Sequence, residues 1–194
     1  MKNKNLSFMT QAAMIAAIYV VLTYIFAPFS FGEVQVRISE ALTILPIFTP
    51  AAIPGLFVGC LIGNILGGAI LPDIVFGSIA TLIGAFFTWK LREQKPVVAT
   101  LPPIISNIII VPFVLRYGYG VTLPIPFMML TVGIGEVISC TVLGLIVYGA
   151  LKKYKGTLGT AVAKVFDLDV ATVGINEKTL IAQGKEKNKD YFSI

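Results

Sequence analysis

Residues 5–32 read NLSFMTQAAMIAAIYVVLTYIFAPFSFG, without one charged side chain. A bilayer core about 30 Å thick needs roughly 20 helical residues, so this run is long enough to cross. Lys2 and Lys4 precede it as they would in a signal peptide, but its length favours a retained first membrane helix. The same reading extends outward through Ala41 to Pro72, Ile74 to Trp89, Pro96 to Leu115, Tyr117 to Gly135 and Val137 to Leu151, all uncharged. Ala41 to Pro72 is too long for one span, and Pro46, Pro50 and Pro54 crowd its first half. Two shorter helices with a turn near residues 49–54 fit it, since proline interrupts a helix. Ile74 to Trp89 and Pro96 to Leu115 give one span each, and Phe127 to Ala150 forms the last, broken only by Glu136. The expected fold is therefore all-α, a bundle of six transmembrane helices.

Composition agrees. Of 194 residues, 56% are apolar and 13% charged, about half the charged share of a soluble domain, and the mean hydropathy is +0.87. Between Leu6 and Leu151 the basic residues Arg37, Lys90, Arg92, Lys95 and Arg116 balance Glu33, Glu40, Asp73, Glu93 and Glu136. The net +5 therefore comes from the two ends. Such a distribution speaks of membrane orientation, because short loops rich in Lys and Arg stay in the cytoplasm, and it offers no basic face for nucleic acid. With six spans, Lys2/Lys4, Lys90/Arg92/Lys95 and Lys152/Lys153/Lys155 fall on one side. That places both termini in the cytoplasm; five spans would separate them. Residues 1–155 are expected to form the membrane domain and 156–194 a polar cytoplasmic tail, in which 160–166 can form a short helix. Such a tail lacks the apolar mass for a core of its own.

Several functions are excluded by what is missing. There is no histidine, no P-loop for ATP, no Ser/His/Asp set and no zinc motif, so an enzyme, a metal site or a cofactor is not expected. Cys60 and Cys140 lie in apolar runs without metal-ligand spacing and read as apolar fillers.

The chemistry that remains is in polar groups inside or beside spans, which are costly there and so are candidates for a site. Arg37 and Glu40 stand between the first two spans on the outer side; they bind a ligand or pair with each other. Asn64 and Asn107 bind a ligand or bond neighbouring helices. Glu136, in VGIGEVIS, has small neighbours that leave room for a guest, and its burial needs a donor. Asp73 follows Pro72 and reads as a helix cap. Gly55, Gly59, Gly63 and Gly67 repeat at every fourth position. They permit close helix packing within the bundle, or flank a binding cleft. Ala12/Ala16 and Ala13/Ala17 are two small-residue pairs on one side of the first span, suited to packing inside the chain or to docking another subunit's helix.

GEVQVRISEALTILP, LPDIVFGSIATLIGAFF, PPIISNIIIVPFVLRYG and VGIGEVIS together resemble the queuosine-precursor transporter family (QueT), the resemblance covering about residues 6–155. These are S-components of energy-coupling factor (ECF) transporters. The resemblance implies a six-helix, substrate-binding subunit of the cell membrane with both termini inside. Its partners would be a transmembrane coupling protein and two ABC ATPases, docked through Ala12, Ala13, Ala16 and Ala17. It also implies a ligand, queuine or a deazaguanine precursor such as prequeuosine. Such a base presents a ring N–H and an exocyclic amine that a carboxylate accepts as a pair. Glu136 suits that edge, with Asn107, Arg37, Glu40 and Asn64 as further contacts; Phe29, Phe31, Tyr117 and Tyr119 stack on the base or form an aromatic belt at the membrane interface. The other readings are a stand-alone proton-coupled carrier with Glu136 as relay, and a scaffold that binds no solute.

Overall fold

The computed structural model describes residues 4–26 and 37–153. Among these residues the chain is all helical, with no strand. Phe29 and Phe31, and the tail read as polar, lie outside the described residues. The helices are α1 Lys4–Ile25, α2 Ile38–Ile47, α3 Ala52–Leu66, α4 Leu71–Lys90, α5 Pro96–Tyr117 and α6 Ile125–Lys153. Residues 8–148 form one compact unit; the described parts of a second unit are the ends of α1 and α6, residues 4–7 and 149–153.

Four of the six, α1, α4, α5 and α6, are long and apolar enough to cross a membrane. α2 and α3 are not, and the sequence explains why. α2 winds as a 3-10 helix with Pro46 inside it, so its ten residues rise about 20 Å at 2.0 Å each. α3 restarts after a turn at residues 48–51 and keeps Pro54 within its first turn, where a proline lacking its N–H breaks no helical bond. It ends at Gly67, and Gly68 turns the chain at φ +75°, a left-handed conformation that only glycine adopts freely. α5 is disturbed at Thr100, just before Pro102 and Pro103. In α6 the α-helical pattern gives way to π-helix at Val137–Leu143, immediately after Glu136.

The exterior is apolar and the interior holds the polar groups, the reverse of a soluble protein. Ile18, Val21, Ile62, Phe76, Ile105 and Ile134 are exposed, while Glu40, Asp73, Glu136 and Asn107 are buried. Lipid is the solvent that suits such a surface. At the end of α4, Lys90 lies over the Phe86 ring and Arg92 over Trp89, 4.6 Å from its centroid. This is the aromatic and basic anchoring typical of a membrane–water boundary.

Within residues 8–148, α4 packs between α3 and α5, and α6 packs on α5 and α2. α1 meets α3 along the glycine stripe. A Cβ added at Gly55 would stand 2.7 Å from the Ala12 carbonyl, and one at Gly59 would stand 2.8 Å from the Tyr19 Cβ and 3.1 Å from Ala16 Cα. The stripe is therefore a packing seam, continued at Gly63 against Thr23. This corrects the assignment of Ala12 and Ala16 to partner docking: Ala16 is buried and both face α3, whereas Ala13 and Ala17 are exposed. One turn of helix separates residues four apart onto the same face, but neighbours 12 and 13 stand about 100° apart, so the two pairs look in different directions. Hydroxyl bonds add to the seams: Thr88 Oγ1 to the Ala99 carbonyl at 2.9 Å, Ser106 Oγ to the Ala80 carbonyl at 3.0 Å, and Thr100 with Thr141 at 3.0 Å.

Gly59→Val should lower thermal stability in detergent by about 1–3 kcal/mol, the usual cost of overpacking. Val58→Leu, on the exposed side of the same helix, should change it by less than about 0.5 kcal/mol.

Candidate functional site

Each helix contributes a polar side chain to the interior, and the five predicted contact residues are all there. Glu40 is 0% exposed, Asn64 and Asn107 2%, Glu136 4% and Arg37 5%. Around them the 3-10 winding of α2 and the π-helical stretch of α6 set which residues point inward. α2 carries Ser39, Glu40 and Thr43 into the interior, and α6 carries Glu136, Ser139 and Cys140.

The groups gather at two places. At the first, Arg37 pairs with Asp73, Nη2 to Oδ2 at 3.6 Å, and Tyr119 donates to the same Asp73 oxygen at 2.9 Å. Asn64 Nδ2 reaches the Asp73 carbonyl at 3.5 Å, and Gly77 leaves the space in which Asp73, Asn64 and Arg37 meet. Asp73 is thus not a helix cap: it makes no capping bond at the start of α4, because an arginine and a phenol hold its carboxylate. Nor do Arg37 and Glu40 form a closed pair. Burial, then the Asp73 charge, raises the Tyr119 phenol above its ordinary value, so it stays a hydrogen-bond donor.

At the second place, Glu40 Oε1 accepts from the Tyr19 hydroxyl at 2.5 Å and from Thr81 Oγ1 at 3.4 Å. Cys140 Sγ donates to Glu136 Oε2 at 3.2 Å and accepts from Thr43 Oγ1 at 3.5 Å. Asn107 faces Glu136, yet its Nδ2 makes no hydrogen bond, and neither does Glu40 Oε2. One ligating atom each from Glu40, Glu136 and Cys140 lie within 4.8 Å of one another. Two unit charges at that distance repel by about 3 kcal/mol or more at an effective dielectric near 20. Two carboxylates and a thiol so placed can receive a cation, whether a metal ion or an organic ammonium group.

Tyr19, Thr81 and the two cysteines were missing from the sequence-based set. Cys140 stands four residues after Glu136, which is a helical neighbour and a usable signal; as a donor to a buried carboxylate it is no apolar filler. Cys60 Sγ lies 3.4 Å from the Thr81 hydroxyl, an alternative acceptor to Glu40 for its one hydrogen. Tyr19 gives no local signal, because its partner Glu40 is distant in sequence. Tyr117 is exposed and Tyr119 is held by Asp73. A separate groove of about 490 Å³ is lined by Pro72, Phe76, Ile109, Phe113 and Val114; its walls are apolar and it contains none of the cluster.

Among known proteins, the family model described as QueT transporter matches residues 9–153. The Queuosine precursor transporter QueT of Lactococcus lactis subsp. cremoris (strain MG1363) is 33% identical over 84 residues, 42% of this chain and 48% of that protein. The match thus spans about half the length of that curated relative. No solved structure matches the chain.

Removing one partner of a buried ion pair leaves an uncompensated charge. Arg37→Met should therefore lower stability in detergent by about 3–5 kcal/mol. Adding Asp73→Asn should restore a large part of it, as read by thermal unfolding of the single and double variants.

Proposed function

Because this chain belongs to the QueT transporter family, a family of transporters and not of enzymes, we propose that it is the substrate-binding membrane subunit of an energy-coupling factor importer that takes up queuosine precursors. The observation that carries this reading is the buried cluster of Glu40, Glu136 and Asn107, with polar atoms left unpaired, in a chain without an ATP-binding motif. A binding site in a chain without an ATP motif of its own fits a subunit driven by an ATPase partner. The relative's printed name, a queuosine precursor transporter, supports the class of solute.

The ligand is a deazaguanine base. Glu136 accepts from its ring N–H and exocyclic amine, and the unpaired Asn107 Nδ2 donates to its carbonyl. Arg37 and Asn64, both gathered around Asp73, form the rim. α2 and α3, about 20–22 Å long, serve as two short spans across a locally thinned bilayer, which gives six crossings with both termini cytoplasmic. The transmembrane coupling protein, carrying two ABC ATPases, docks on the exposed Ala13 and Ala17 of α1, where small residues let a foreign helix come close.

Glu136→Gln keeps the shape but loses the charge and an acceptor, and charge-assisted bonds are worth about 1.5–3 kcal/mol each. Its affinity for queuine should fall by about two to four decades in calorimetry on the purified chain. An unchanged dissociation constant in a folded protein removes Glu136 from the site.

Ala17→Leu should leave queuine binding intact and abolish uptake in cells that co-express the coupling protein and ATPases. Ala16→Leu, which points into the α1–α3 seam, should instead unfold the chain. Uptake that survives loss of the ATPases but collapses with a protonophore would make this a secondary carrier.

A further inference from the structure

The turn between α4 and α5 concentrates positive charge beside apolar surface. Lys90 closes α4, and Arg92 and Lys95 stand in the turn, with Glu93 the only acidic residue from Ile74 to Gly135. All four are exposed. Among the described residues Glu93 answers Arg92 alone, at 3.6 Å, and an exposed pair of that kind is weak. Three cations thus face one carboxylate.

The turn also holds its cations in place. The Gln94 N–H donates to the Leu91 carbonyl at 2.9 Å and the Val98 N–H to the Lys95 carbonyl at 2.8 Å. The buried Thr88 hydroxyl ties the end of α4 to the Ala99 carbonyl. Lys90 Nζ rests 5.5 Å from the centre of the Phe86 ring. Arg92 lies on the Trp89 ring while its Nη1 donates to the Trp89 carbonyl at 3.2 Å. An ammonium has three N–H donors and a guanidinium five, so these contacts leave donors for a guest. Side chains already held by ring faces lose less freedom when they bind one.

From this turn each helix leads an apolar stripe into the bilayer. Ile79, Ile83, Phe86 and Phe87 are exposed on α4, and at three- and four-residue spacing they form one face that ends on Lys90. On α5 the exposed Leu101 and Ile105 lead away from Lys95. Cations at the head of a hydrocarbon-lined track match a phosphate with acyl chains attached. A zwitterionic headgroup brings a cation of its own, which the turn repels; a headgroup of net negative charge brings none.

We propose that the α4–α5 turn is a binding site for an anionic phospholipid, its phosphate held by Lys90, Arg92 and Lys95 and an acyl chain lying along the α4 stripe. The site shares no residue with the buried polar cluster and does not depend on the solute the chain carries.

Trp89 is the one tryptophan of the chain, so its fluorescence reports this position alone. The test reconstitutes the purified full chain in phosphatidylcholine bilayers and reads quenching as brominated phosphatidylglycerol or brominated phosphatidylcholine is added to the mixture. The anionic lipid should bind at least about fivefold more tightly, given the pull of each basic residue on an anionic headgroup. Lys90→Gln combined with Lys95→Gln should bring that ratio to within about twofold, while Arg92 stays on the ring and keeps the fluorophore's surroundings. Arg116→Gln, at the opposite end of α5, should leave the ratio unchanged. A ratio below about fivefold in the unmodified chain overturns the proposal, and that result needs no variant to fold. A ratio that the double variant keeps above about twofold, or that Arg116→Gln lowers equally, overturns it too, because the attraction then belongs to the overall charge of the protein.

Discussion

Three carboxylates and one guanidinium share the buried interior of this chain, in a protein whose outer surface is suited to lipid. In water each group would be solvated at little cost; here each must be answered by another side chain, by a guest or by a proton. Asp73 is answered by Arg37 and Tyr119. Glu40 and Glu136 have only hydroxyls, a thiol and an amide beside them. These neutral donors leave Glu40 Oε2 and Asn107 Nδ2 without hydrogen-bond partners.

Packing without a hydrophobic driving force is what puts the donors in position. Helices in lipid associate through small residues that let backbones approach, and Gly55 and Gly59 do this against Ala12 and Ala16. The close α1–α3 seam carries Tyr19 inward to Glu40, and places Thr23 within 2.9 Å of Ser39 Oγ. A larger residue in the seam would push away the phenol that orients Glu40, so a feature of plain packing has a consequence at the site.

Departures from regular α-helix fall next to the same residues. Glu40 sits in a 3-10 helix and Glu136 at the start of a π-helical stretch. Changing the residues per turn changes which side chains face inward, and π segments within helices often mark functional sites. In α6 the wider turn carries Ser139 and Cys140 inward behind Glu136.

Much of this was legible in the chain before any coordinates. Long uncharged runs, broken by prolines at 46, 50 and 54, foretold an all-helical membrane protein with two short helices after the first, and Arg37, Glu40, Asn64, Asn107 and Glu136 stood out because polar groups in apolar runs need a reason. These are local properties: hydropathy, helix length and the chemistry of single side chains are written residue by residue. Which carboxylate Arg37 would choose, that Asp73 would not cap its helix, that Tyr19 and Cys140 would join the cluster, and that Ala12 and Ala16 would turn inward while Ala13 and Ala17 stayed outside, were decided only by the tertiary structure. Those outcomes depend on distances between residues far apart in the chain and on the angular position each helix takes when its neighbours close around it, and no single segment contains that information.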